Sequence, residues 1–236
     1  MEYGGDDPLK CNGPYNYGSD IWTSVQSCQA AQPAASSGPA QPGVHPAAPA
    51  VDPARLKESL ISQFGITMDG FDNAHLQWAW EKFWEVSNTN FTRFIRGSVI
   101  QITDPRRSEQ KGCPGRDPVT VLLGQYDQAL FKYILTHELG HTIQHCTGSN
   151  SFSAEHLNAY NREGGVTYYA NHAASQSCSH GTANNVNEDY AEMIALYLNP
   201  SANVRAVNCD TTGRYTNLRV EFPLHYNVAR SILGDY

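Results

Sequence analysis

Apolar residues return at helical spacing in five stretches of the chain and alternate with a period near two in two short ones. Leu56, Leu60, Ile61 and Phe64 predict a first helix, opened by Asp52-Pro53 and ended by Gly65. Residues 73–86 predict a second, whose Leu76, Trp78, Trp80, Phe83 and Trp84 suit a core or a wall beside a substrate. Val99, Ile100 and Ile102 mark a strand within 97–103, and Val119 and Val121, alternating with Thr120 and Leu122, mark another within 119–123. Residues 127–146 carry Phe131, Leu135, Leu139 and Ile143 as an i, i+4 core stripe, with Asp127 as N-cap and Thr147-Gly148 as the stop. Residues 187–198 read as a helix halted by Asn199-Pro200. The last segment, 218–233, holds Val220, Phe222, Leu224, Val228 and Ile232 and reads as partly helical despite Pro223, with His225 structural.

Helix, strands and helix in that order predict an α+β domain with a small mixed sheet over residues 51–236. Residues 1–50 stand apart: a Gly/Tyr/Asn/Asp-rich start, then a Pro/Ala/Ser/Gly tract that reads as a linker or a surface-draped arm. Residues 147–186, rich in Ser, Asn and Gly, read as a long loop able to shape a cleft.

Composition narrows the class. A net charge of −7 with no lysine or arginine run argues against a nucleic-acid partner. No stretch approaches the roughly 18 apolar residues of a membrane span. Six cysteines, at 11, 28, 113, 146, 178 and 209, show no metal-binding spacing and predict up to three disulfides, hence an oxidising compartment. Asn90-Phe91-Thr92 is a glycosylation sequon, which adds a little to that expectation. The opening residues lack the basic and apolar regions of a signal peptide, so the expectation is a mature secreted form behind an added methionine, monomeric by default.

The chemistry lies at His137-Glu138-Leu139-Gly140-His141, the HExxH pattern, inside the 127–146 helix. Four residues turn a helix by roughly 400° and raise it about 6 Å, so both imidazoles can meet one ion. Glu138 lies one step round the cylinder, within reach of a water at that ion without being a ligand. His145 cannot join them, because it sits about 12 Å along the axis from His137. The 187–198 helix offers the missing donor: Glu188, Ala191, Glu192 and Ala195 share one face at i, i+3, i+4 and i+7. Small alanines allow close approach to another helix, with Glu188 as ligand and Glu192 accepting the other N–H of a ligand histidine.

HELGH followed by EDYAE, 47 residues on from His141 to Glu188, resembles the gluzincin zinc metallopeptidases. The ExxAE form is similar to that of lethal-factor-like and several secreted microbial peptidases. The resemblance covers residues 130–198 and implies a zincin-like fold, Zn²⁺ on His137, His141 and Glu188, Glu138 as general base and Glu192 behind the ligands. Where lethal-factor-like enzymes carry an oxyanion-stabilising tyrosine this chain has Gly181. His180, one step further away, is the leading donor in its place, as a histidine is in thermolysin-like gluzincins, with Tyr168, Tyr169 and Tyr190 as the other choices.

The resulting expectation is a secreted zinc endopeptidase acting on protein or peptide substrates. Glu138 takes a proton from the attacking water and delivers it to the leaving amine. The 119–123 strand is either an edge that pairs with substrate backbone or an ordinary interior strand. A zinc-binding pseudoenzyme or interaction module, or a non-peptidase zinc hydrolase, uses the same ligands; intact Glu138 speaks against the first. No GxMEN-like segment supports an aminopeptidase.

Overall fold

The computed structural model describes residues 46–103, 113–116, 118–122, 127–146, 154–166, 185–200 and 217–236. Asp52 caps a 3-10 turn at Pro53–Arg55, accepting from the Ala54 N–H at 3.0 Å, and the turn runs into α1, Leu56–Phe64. Leu56, Leu60 and Phe64 are buried, one helical turn apart, whereas Ile61 faces solvent. Gly65 ends α1 in the left-handed region at φ 70°, its N–H on the Ile61 carbonyl. The chain then forms β1 (Thr67–Asp69), α2 (Asn73–Glu85), α3 (Phe91–Ile95), β2 (Val99–Thr103) and β3 (Val119–Leu122). Asp72 caps α2 by accepting from the His75 N–H at 2.9 Å.

The sheet departs from expectation. Its order is β1-β2-β3 and both pairings are parallel, Thr67 opposite Val99 and Ile100 opposite Val119, so among the described residues it is parallel rather than mixed. Parallel neighbours need a crossover, and α2 with α3 supplies it between β1 and β2. The alternation was too short at β1 to be read: three residues, of which Met68 is the buried one. The strand expected from residue 97 starts at Val99 because Gly97 turns the chain at φ 88°. Among the described residues β3, like β1, has one neighbour, β2, and is an edge, with Val119 and Val121 buried.

α4 (Gln128–Cys146) is the hub, packing on α2, α3, β3 and above all on α6 (Asn185–Leu198). Asp127 caps it through the Leu130 N–H at 2.9 Å, and Phe131, Leu135, Leu139 and Ile143 are all buried along the expected stripe. A disulfide joins Cys146, its last residue, to Cys113 in the turn ahead of β3. Cys11, Cys28, Cys178 and Cys209 lie outside the described residues.

The stretch expected to be one long loop contains a helix, α5 (Ala154–Glu163), with His156 and Ala159 buried. Its apolar content is so low that polar composition hid the periodicity. The last segment divides at Phe222 into α7 (Leu218–Glu221) and α8 (Pro223–Leu233), with Pro223 in the first turn of α8, where its missing N–H costs nothing. Val220, expected inward, is exposed. No helix among the described residues is long and apolar enough to cross a membrane.

The α4–α6 contact depends on a glycine. A Cβ on Gly140 would lie 3.0 Å from the Ala191 Cα and 3.2 Å from its carbonyl oxygen, both backbone atoms of α6. Gly140→Ala gains roughly 1 kcal/mol of helix propensity, but overpacking costs about 1–3 kcal/mol and pushes α6 away. The expected result is a lower melting temperature, read by calorimetry. A variant more stable than the unaltered chain would remove the close approach from the account.

Candidate metal centre

His137 and His141 leave α4 on one face with their rings perpendicular and 4.9 Å apart. Glu188, near the start of α6, meets them from the facing helix: its Oε2 is 3.4 Å from His137 Nε2 and 3.4 Å from His141 Nε2. The three groups are buried, and their ligand atoms lie within 4.8 Å of one another. That spacing is long for a hydrogen bond, whose N–O distance is about 2.7–3.2 Å. It suits neighbouring donors on one tetrahedral ion, since bonds of about 2.0–2.2 Å separate ligand atoms by roughly 3.4 Å. Two imidazole nitrogens and a carboxylate oxygen, all buried, can therefore hold a metal ion.

The support behind these donors is also built. His137 Nδ1 is 2.8 Å from Glu192 Oε1, one turn along α6 from Glu188. The other oxygen of Glu192 accepts from the hydroxyl of Tyr133, which is buried on α4 one turn ahead of His137. A carboxylate held at both oxygens fixes the imidazole's tautomer and its ring plane. Tyr133 went unread in the sequence, although its place four residues before His137 was the signal. Ala191 and Ala195 are fully buried, as close helix approach requires. At the two ends of the contact, Gln144 Nε2 donates to Asn187 Oδ1 at 2.9 Å and Asn199 Nδ2 to Thr136 Oγ1 at 2.7 Å.

Charge follows this geometry. Burial works against a proton on His137, yet the carboxylates of Glu188 and Glu192, with Glu138 adding to them, raise it well above the usual histidine range. Burial likewise opposes ionisation of Glu188, and the two histidines outweigh it, holding the carboxyl well below its ordinary value. The pocket thus favours positive charge at the point where the three donor atoms converge. Glu138 itself is half-buried, next to His137.

The remaining oxyanion choices divide. Tyr190 is two residues on from Glu188, and its ring packs edge-on against His156 at 5.1 Å. His180, Gly181, Tyr168 and Tyr169 lie outside the described residues.

A second buried cluster went unread. Asp189 Oδ2 accepts from His156 Nε2 at 2.8 Å and from His225 Nε2 at 2.9 Å, while Asp189 Oδ1 accepts from the Val166 N–H at 2.8 Å. Glu163 holds His225 Nδ1 at 2.8 Å and caps α8 through the Leu224 and His225 N–H groups. Burial opposes the charge on His225, but Asp189 and Glu163 raise it to about 9 from 6.5. Because the folded value is the higher, this stabilisation is complete below pH 6.5 and is lost as pH rises through about 9. The expected urea midpoint therefore falls over that window, and His225→Gln flattens the fall; identical profiles for the two proteins would remove the ion pair from the account.

No protein-family model matches the chain, and no curated protein matches it.

Proposed function

We propose that this chain is a zinc-dependent endopeptidase of the gluzincin kind, with His137, His141 and Glu188 as ligands and Glu138 as general base. The observation that carries the reading is the 3.4 Å separation of Glu188 Oε2 from both ligand nitrogens, beside an intact glutamate at the next position on α4. The donor set, two imidazoles and a carboxylate on facing helices, suits zinc. When bound there, zinc supplies a Lewis acid that acidifies a water and polarises a carbonyl oxygen.

Glu138 takes the proton of the attacking water and hands it to the leaving nitrogen. Glu192, held by Tyr133, keeps the proton of His137 on Nδ1 and so leaves Nε2 free to ligate. Among the described residues β3 is an outer strand of the sheet and packs against α4, a place that suits the edge-strand reading. His180 as the donor to the oxyanion rests on the sequence alone. The Cys113–Cys146 disulfide supports an oxidising, extracellular setting. A zinc-binding pseudoenzyme shares the ligands, but it has no need of Glu138.

The test is a mass-spectrometric cleavage profile of the zinc-loaded protein on a diverse peptide mixture, beside Glu138→Gln. Internal cuts made only by the unaltered protein are expected. Zinc bound without any cut would turn the reading to the pseudoenzyme.

A further inference from the structure

Two buried groups of histidine and carboxylate lie on the two sides of α6, each with three donor atoms within 4.8 Å of one another, but their nitrogen–oxygen distances differ. Around Glu188 the nitrogen–oxygen distances are 3.4 Å; around Asp189 they are 2.8 and 2.9 Å, hydrogen-bond lengths. Both oxygens of Asp189 are engaged, one by the Val166 N–H and one by two imidazoles, and Asp189, His156 and His225 are fully buried. A carboxylate shut away from water needs such partners or an ion, and here the partners are already in place.

We propose that Asp189 is a positioning residue for Glu188, and that the His156–Asp189–His225–Glu163 cluster is a hydrogen-bonded strut rather than a second metal site. The proposal rests on the metal reading of His137, His141 and Glu188. Glu188 and Asp189 are consecutive residues of one helix, so whatever fixes the roll and height of Asp189 fixes the path of the Glu188 side chain. On its α4 side the helix is held by the Gln144–Asn187 and Asn199–Thr136 bonds and by the Gly140–Ala191 contact. On its other side it is held by the strut, which reaches α5 through His156 and Glu163 and α8 through His225. Productive ligand geometry tolerates only about 0.5 Å of drift. A helix braced from both sides meets that tolerance; one braced from a single side can roll.

The experiment uses the full chain, stripped of metal and titrated with Zn²⁺ against a chromophoric chelator, and separately loaded with Co²⁺ for its visible absorption spectrum. His156→Leu removes one brace from Asp189; His156→Gln keeps an amide able to donate to the same oxygen. The Leu variant is expected to bind zinc roughly 3–10-fold more weakly, less than the 10–100-fold of groups bonded directly to ligands because His156 acts one residue removed, and to shift the cobalt spectrum. The Gln variant is expected to recover most of both, with one metal per chain throughout. Unchanged affinity and spectrum in a folded Leu variant would overturn the positioning role. Two metals per unaltered chain, the second lost in the variant, would overturn the strut. If the Leu variant does not fold, Asp189→Asn, which keeps the acceptor for the Val166 N–H, is read by the same two measurements with the same outcomes. An unaltered chain that binds no metal would overturn both this inference and the zinc reading, whereas undiminished binding in the variants touches this inference alone.

Discussion

Glu138→Gln is expected to lower the turnover of a cleaved peptide by about 10²–10⁴-fold, the usual contribution of a general base. Zinc content should stay unchanged, because Glu138 is no ligand: the donors that converge are on His137, His141 and Glu188. Glutamine has the same shape, so packing around α4 is preserved and the lost function is proton transfer alone. The partial exposure of Glu138, against the burial of both histidines, fits a group that must meet substrate. Single-turnover kinetics together with metal analysis decide the point. An equally active variant would sink the general-base assignment whatever the metal content, since no other carboxylate follows a ligand histidine on α4.

Glu188→Ala is expected to have the opposite signature, with metal lost and the fold weakened. Losing a ligand outright should cost more than the 10–100-fold attached to a group behind the ligands, so occupancy at micromolar zinc should collapse. It also leaves His137 and His141 without the carboxylate that shares their pocket. Burial of His137 then goes less opposed, and its proton affinity falls toward the ordinary range. Chelator competition gives the affinity, and NMR titration of the His137 ring in the metal-free protein gives the second change. Full occupancy in the variant would show that the donor set has been misread. The two glutamate variants thus separate chemistry from ligation, one on each helix.

The sequence was most legible where a period and a chemical signature coincided. The stripe on α4 and the Glu188/Glu192 face of α6 could be written down because i, i+4 spacing fixes a face regardless of the rest of the fold. The Ala191 and Ala195 positions announced a close helix contact; that Gly140 receives it needed the coordinates, since register between helices is a tertiary property. α5 escaped because only a few of its residues turn inward, and the cluster it serves escaped with it. His156, Glu163, Asp189 and His225 are spread over three helices, and no spacing along a chain signals such a meeting. His225 alone was read as structural, and its burial between two carboxylates agrees with that. The direction of the sheet could not be read at all, because strand alternation is the same in parallel and antiparallel neighbours.

The Cys113–Cys146 bond makes a closed ring of the chain segment that carries β3 and the whole of α4. A single backbone cut anywhere inside that ring leaves both products covalently joined, with His137 and His141 still tethered to the strand beside them. If the chain is the endopeptidase proposed above, a copy nicked there by another keeps its histidines attached. Glu188 lies outside the ring. Gel mobility of a nicked sample, run with and without reductant, would show the difference.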